Sequence, residues 1–186
     1  MNRQETIKDP DGNVTTQLYD AAGRRTTVLL GLGSKRQFGY DSVGRVTTQI
    51  ELNSSNNPIV TISDSYDAVG NRIGRNKDGD VTTWTYDDVN RLTGQQLNGV
   101  AATFVYDSVG NISVKHHQGE SPMTFAYDAA DRMVTMIQGS AVTTFTYDDN
   151  GNLTEEAKSG LGVQRTTYVY DNENRLTVVD GSGLRS

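Results

Sequence analysis

The stretch Tyr40-Asp41-Ser42-Val43-Gly44-Arg45-Val46-Thr47 has the chemistry of a tight reversal between two strands, and it decides the architecture. A type I turn favours Asp at its first position and Gly at its fourth. Asp41 and Gly44 supply both. A type I turn followed by one left-handed residue is the common three-residue hairpin loop with a bulge. Tyr40-Asp41 therefore ends one strand, and Arg45 begins the next, antiparallel to it.

The pattern recurs, and a repeat of this length is the signature of an array. Tyr-Asp pairs start at Tyr19, Tyr40, Tyr66, Tyr86, Tyr106, Tyr127, Tyr147 and Tyr170, at steps of 20 to 26 residues. The aspartates are Asp20, Asp41, Asp67, Asp87, Asp107, Asp128, Asp148 and Asp171. Four residues after each tyrosine stands Gly23, Gly44, Gly70, Asn90, Gly110, Asp131, Gly151 or Asn174. These residue types tolerate a left-handed backbone. Next comes Arg24, Arg45, Asn71, Arg91, Asn111, Arg132, Asn152 or Arg175. Two residues before the tyrosine are Phe38, Trp84, Phe104, Phe125, Phe145 and Tyr168, with Gln17 and Asp64 as exceptions. All aromatics of the chain (9 Tyr, 4 Phe, 1 Trp) thus occupy two positions of the repeat. Positions two apart on a strand share a face.

The loop length predicts the pairing. Asp lies opposite Arg or Asn. Tyr lies opposite Val46, Leu92, Ile112, Met133, Leu153 or Leu176 in six repeats. The first and third repeats carry Arg25 and Arg72 there, and in the third Ile73 suggests a shifted register or bulge. Such cross-strand pairs contribute roughly 0.2–1 kcal/mol each. The aromatic row is expected on the face opposite the charged pairs. A second set of turns separates the hairpins, as in Asp9-Pro10-Asp11-Gly12, Lys77-Asp78-Gly79-Asp80 and Leu97-Asn98-Gly99. Incoming strands such as Val81-Thr82-Thr83-Trp84-Thr85-Tyr86 alternate in the manner of half-buried strands. Asn53-Ser54-Ser55-Asn56-Asn57-Pro58 reads as a loop insertion, and Ser159-Gly160-Leu161-Gly162 as another.

The fold class is therefore all-β: tandem antiparallel hairpins, about eight repeats, in one long twisted and curling sheet. Residues 1–186 read as a single array with no second domain. About sixteen strands at ~4.8 Å spacing make a sheet that tends to curl, split or close. Its aromatic face needs covering, by the sheet itself or by sequence outside this chain. The closing turn signal Val178-Val179-Asp180-Gly181-Ser182-Gly183-Leu184-Arg185-Ser186 has no returning strand. With uncapped ends, that gives the expectation of a fragment of a longer repeat protein.

Composition narrows the function. The net charge is −6 and no basic stripe is present, which argues against nucleic acid. There is no cysteine, so disulfides and thiolate metal sites are excluded. Met1-Asn2-Arg3-Gln4-Glu5-Thr6 shows no apolar signal-peptide core, and no run of apolar residues is long enough for a membrane span. The compartment stays open. The aspartates could form a calcium ladder, but one carboxylate per turn reads as turn formation with an Arg or Asn partner. His116 and His117 are strand neighbours that point to opposite faces, which reads as a solvated strand end. The aromatic rows read as core ahead of a sugar-stacking surface. No catalytic, cofactor or metal residue is singled out, and no cofactor is expected.

The units at Tyr40–Thr47, Tyr86-Asp87-Asp88-Val89-Asn90-Arg91-Leu92-Thr93 and Tyr147-Asp148-Asp149-Asn150-Gly151-Asn152-Leu153-Thr154 closely resemble the YD repeat of the rearrangement-hotspot (RHS) family. The resemblance covers about residues 9–180. It implies a β-sheet strip spiralling into a hollow shell, which in bacterial members secludes a toxin and in the animal teneurins serves adhesion. It also suggests a secreted or cell-surface, bacterial setting. The family's proline- and aspartate-rich core motif, its self-cleavage and its toxin tail have no counterpart here. The expectation is a non-catalytic structural segment of a β-shell that encapsulates or presents a toxin. Its partners would be further repeats of the same protein, a copy of itself or an enclosed toxin. The alternative is an adhesion or carbohydrate-binding surface module.

Overall fold

The computed structural model describes residues 3–160 and 164–182. Seventeen strands and one short 3-10 turn, Gly31–Gly33, make up its regular structure. Residue contacts divide the chain into two compact units, Met1–Gly99 and Val100–Ser186.

The first unit contains β1 (Gln4–Lys8), β2 (Val14–Tyr19), β3 (Arg25–Leu29), β4 (Lys35–Tyr40), β5 (Val46–Leu52), β6 (Pro58–Tyr66), β7 (Arg72–Lys77), β8 (Asp80–Tyr86) and β9 (Leu92–Leu97). Each pairs antiparallel with its neighbour in sequence. The second unit contains β10 (Val100–Tyr106), β11 (Ile112–His117), β12 (Met123–Tyr127), β13 (Met133–Gln138), β14 (Ala141–Tyr147), β15 (Leu153–Ser159), β16 (Gln164–Tyr170) and β17 (Leu176–Ser182). It follows the same rule. The chain is all-β, built from tandem antiparallel hairpins.

The register is the one that the turn chemistry predicts. Tyr40 faces Val46, Tyr86 faces Leu92, Tyr106 faces Ile112, Tyr127 faces Met133, Tyr147 faces Leu153 and Tyr170 faces Leu176. Tyr19 and Tyr66 face Arg25 and Arg72 in the same register. The shift suggested by Ile73 does not occur. Ile73 is instead the residue left over by a bulge that every repeat has. Gly39 pairs with Thr48 directly after Tyr40 with Val46, which leaves Thr47 without a partner. The leftover residue is often a hydroxyl residue, and its side chain takes up a nearby strand carbonyl. Thr26, Thr154 and Thr177 donate to Leu18, Thr146 and Val169 at 3.2, 3.0 and 3.0 Å. This use of threonine adds to its strand propensity.

All eight fourth-position residues have positive φ, from 58° at Asn174 to 106° at Gly70 and Gly110. The turns at the other end vary more. Asp78-Gly79 and Asn98-Gly99 have two successive positive φ values (54° and 99°, 48° and 87°), the type I′ geometry that matches strand twist. Asn53–Pro58, read from sequence as a loop insertion, is an ordinary turn of the Tyr-Asp geometry over Asn53–Asn57, with Pro58 opening β6. Asn53 accepts from the amides of Ser55 and Asn57 at 2.9 and 3.0 Å, and Asn56 takes the left-handed position at φ 64°. Asp9-Pro10-Asp11-Gly12-Asn13 also has this geometry, with Asp9 holding the Asn13 amide at 2.8 Å. The reading of Ser159–Gly162 as an insertion, and the last residues of the closing turn signal, lie outside the described residues.

Within this chain the aromatic rows do not form a packed core. Among the described residues Leu52 is the only buried hydrophobic side chain, and no side chain is fully buried. The aromatic rings are half-buried within a single layer, while alternate residues such as Thr85, Val105 and Thr146 are exposed. Neighbouring repeats along the sheet supply what burial the rings have.

Gly79 shows how far the turns constrain sequence. Its φ is +99°, and an added Cβ would meet nothing within 4 Å. Gly79→Ala is expected to cost about 1–2 kcal/mol from backbone strain alone. Hydrogen exchange of the β7–β8 amides, with Gly79→Asn as the milder control, measures it.

Candidate functional site: the ladder of Tyr-Asp turns

Each motif aspartate closes its own turn. Asp128 Oδ1 accepts the amides of Ala130 and Arg132 at 2.9 and 3.0 Å, while Oδ2 accepts Arg132 Nε at 2.8 Å. Asp20, Asp41, Asp87 and Asp171 repeat this with Arg24, Arg45, Arg91 and Arg175, at Nε–Oδ2 distances of 2.6–2.8 Å. Asp67 and Asp148 hold the Asn71 and Asn152 side-chain amides, each at 2.9 Å. Asp107 Oδ1 accepts from Val109, Gly110 and Asn111.

These bonds act on the ionised carboxylate and hold all eight below the ordinary carboxylate range. In Asp20, Asp87, Asp128 and Asp171 the largest cause is the backbone amide of the following arginine. In Asp148 it is the Asn152 side chain. In Asp41, Asp67 and Asp107 desolvation is the largest single influence and acts upward. The hydrogen bonds to these carboxylates, those from Arg45, Asn71 and Asn111 foremost, together outweigh it.

Within each unit a second set of contacts joins successive repeats. The hydroxyls of Tyr40, Tyr66, Tyr86, Tyr127 and Tyr147 donate to a carbonyl of the preceding hairpin. Tyr40 reaches Arg25 O at 2.7 Å, Tyr66 reaches Val46 O at 2.9 Å and Tyr86 reaches Arg72 O at 3.0 Å. In the second unit Tyr127 reaches Ile112 O and Tyr147 reaches Met133 O, at 2.9 and 2.8 Å. Tyr19 bonds instead to Glu5 and Gln17. The motif arginine also crosses over. Arg24, Arg45 and Arg132 lie 4.8–4.9 Å from the ring centroids of Tyr40, Tyr66 and Tyr147. Their Nη1 atoms donate to the carbonyls of Asp41, Asp67 and Asp148. The charged pairs are therefore not segregated on the face away from the rings, as the sequence suggested. Their guanidinium groups cover the rings of the following repeat.

The irregular repeats are irregular in a coordinated way. Gln17 and Asp64 replace the upstream aromatic where Arg25 and Arg72 replace the aliphatic partner. Arg25 Nη1 lies 3.4 Å from Gln17 Oε1. Asp64, with 8% of its side chain exposed, pairs bidentately with Arg75 at 2.7 Å and approaches Arg72 at 3.7 Å. Arg25 and Arg72 in turn stack over Phe38 and Trp84 at 5.0 and 4.9 Å. Sequence reading found the exceptions but not their coupling. The signal was their coincidence in the same two repeats.

The concave spaces are open grooves between adjacent turns. One, of about 620 Å³, is lined by Asp67, Asn71, Trp84, Tyr86, Asp87 and Asn90 among others. Among the described residues no group of three His, Asp or Glu side chains is placed to hold a metal. His116 Nε2 lies 3.1 Å from Glu120 O.

Two outcomes follow. Tyr147→Phe removes the bond to Met133 O and is expected to cost about 0.5–1.5 kcal/mol, read by hydrogen exchange at the Met133 end of β13. The pH dependence has a definite sign. The aspartate pKa values are lower folded than unfolded, so the stability they give is present above the unfolded value of about 3.9. It is lost as pH falls through the folded values. Protection of the Arg132 amide should therefore fall in acid below about pH 4, and Asp128→Asn should remove that step at this turn.

No curated protein sequence matches this chain. Among solved structures, a Tc holotoxin pore of Photorhabdus luminescens with a mutated TccC3 superposes at a TM-score of 0.74 and 20% identity, over 91% of this chain and 10% of that one. The TcdB2-TccC3-Cdc42 structure gives 0.70 and 17%, over 95% of this chain and 12% of that one. TcdB2-TccC3 without its hypervariable C-terminal region gives 0.71 and 17%, with the same coverage. The chain thus spans about a tenth of the length of these relatives in fold. The family model described as Teneurin YD-shell matches residues 1–179, and with the turn ladder running through that span the chain belongs to the YD-shell family.

Proposed function

We propose that this chain is a non-catalytic wall segment of a YD-shell protein, a single array whose tyrosine–aspartate motif is structural and whose surroundings are further repeats and an enclosed toxin or effector. The observation that carries the reading is the commitment of the motif's polar groups. Every motif carboxylate closes its own turn, and the arginines and tyrosines described above join repeat to repeat. This leaves the motif no nucleophile, general acid or base held ready for a substrate. A wall needs such redundancy, because it must hold its shape without a packed interior. The similarity to Tc toxin structures supports the enclosed-effector part of the proposal.

A second reading is a carbohydrate-binding surface, favoured by the groove that contains Trp84 beside Asp67, Asn71 and Asn90. Arg72 already covers a face of that indole, which weighs against sugar stacking there.

Three measurements test the proposal. Intact mass should stay constant during prolonged incubation, and a discrete self-generated fragment would overturn the non-catalytic reading. Trp84 fluorescence should be insensitive to a panel of sugars, with saturable quenching favouring the second reading instead. In the gene product that carries this segment, an enclosed effector should resist protease until the wall is unfolded by acid or denaturant. Equal digestion before and after would remove the enclosing role.

A further inference from the structure

We infer that the residue after each left-handed turn position and the left-handed residue of the next repeat form a matching pair, which sets which hairpin can follow which. In sequence order, Arg24, Arg45, Arg91 and Arg132 are followed one repeat later by Gly44, Gly70, Gly110 and Gly151. Asn71, Asn111 and Asn152 are followed by Asn90, Asp131 and Asn174. No successive pair mixes the two kinds.

The structure supplies the reason. The asparagine side chain is too short to reach the next tyrosine. Its amide nitrogen instead donates to the next fourth-position side chain: Asn71 to Asn90 Oδ1 at 2.8 Å, Asn111 to Asp131 Oδ1 at 2.9 Å and Asn152 to Asn174 Oδ1 at 2.9 Å. Glycine there would offer no acceptor. The arginine extends past that position to the next ring and carbonyl. A Cβ at Gly44 would lie 3.9 Å from Arg24 Cδ, and one at Gly151 would lie 3.7 Å from Arg132 Nη1. The remaining atoms of an asparagine would then compete for the space that the guanidinium fills. At Gly70 a Cβ would find open space, so the arginine side of the rule is the looser one. Both partners tolerate positive φ, so the choice between glycine and asparagine is set across the repeat boundary.

Within β17's hairpin, Arg175 has 70% of its side chain exposed, and its Nη1 bonds to Glu173. Arg24, Arg45 and Arg132 are 31–36% exposed. The rule assigns Arg175 a following Tyr-Asp hairpin with glycine in fourth place. This step rests on the wall-segment reading, while the matching rule inside the chain does not.

The test is a pair of double-mutant cycles in the full chain, read by amide hydrogen exchange at the turn of the later repeat of each pair. Asn71→Arg and Asn90→Gly singly are each expected to lower protection of the Asp87 turn about fivefold. The two together should recover to within about twofold of the parent. Arg24→Asn with Gly44→Asn forms the mirror cycle at the Asp41 turn. Additive losses in both double variants would overturn the rule, whatever the wall encloses. For the partner, the chain is lengthened by one Tyr-Asp hairpin in two versions, with glycine or asparagine in fourth place. The glycine version should protect the Arg175 turn about fivefold more. Equal protection, or more in the asparagine version, would overturn the assignment to Arg175 while leaving the internal rule to its own cycles.

Discussion

A guanidinium set over the tyrosine ring of the next hairpin does part of the work that a hydrophobic core does elsewhere. Each unit is a single layer of strands in which almost none of the described residues is completely buried, so lateral contact between successive hairpins must supply what depth does not. The stack of Arg24 on Tyr40, or Arg132 on Tyr147, combines cation–π attraction with cover for an aromatic ring. The guanidinium is also held from behind by its own aspartate and in front by a backbone carbonyl. Arginine suits this place because its planar fork meets several acceptors while presenting a flat face. Isolated surface ion pairs contribute little, but these are parts of a linked network that also fixes a ring.

The division of labour within the motif follows from that constraint. The aspartate shapes the turn, and the fourth residue takes the backbone conformation that the turn requires. The fifth carries the connection outward, and the tyrosine receives it while its hydroxyl anchors to the hairpin behind. Local duties and contacts across a boundary are thus divided among the motif residues. Where the upstream aromatic is missing, as at Gln17 and Asp64, an arginine on the facing strand fills the gap and still covers the ring of the following repeat. The pattern varies in residue type while keeping its contacts.

Much of this was legible in the sequence. The Asp-x-x-Gly spacing, the restriction to Gly, Asn and Asp in fourth place, and the aromatics two residues apart fix hairpins, register and bulge, because turn geometry is a local property. The Tyr-to-aliphatic pairing followed from loop length alone. What sequence reading misplaced was non-local. It set the charged pairs on the face away from the rings, because alternation was carried through the turn as if the long arginine side chain stayed over its own strand. It read Asn53–Pro58, which lies in the long 26-residue step between tyrosines, as a loop insertion, although Asn56 takes the same left-handed conformation in an ordinary turn. The partners of the tyrosine hydroxyls, which are backbone carbonyls in another repeat, leave no mark in composition or spacing.

The tyrosine hydroxyl bond to the hairpin behind has a mechanical consequence. Since every such link spans one boundary and no further, the strip has no keystone whose loss would collapse the whole. Pulled from one end, it would yield as a zip does, one hairpin at a time, each release meeting similar resistance. A chain built this way can change length by whole units during evolution, and the cost of each change is confined to the single seam where it is made.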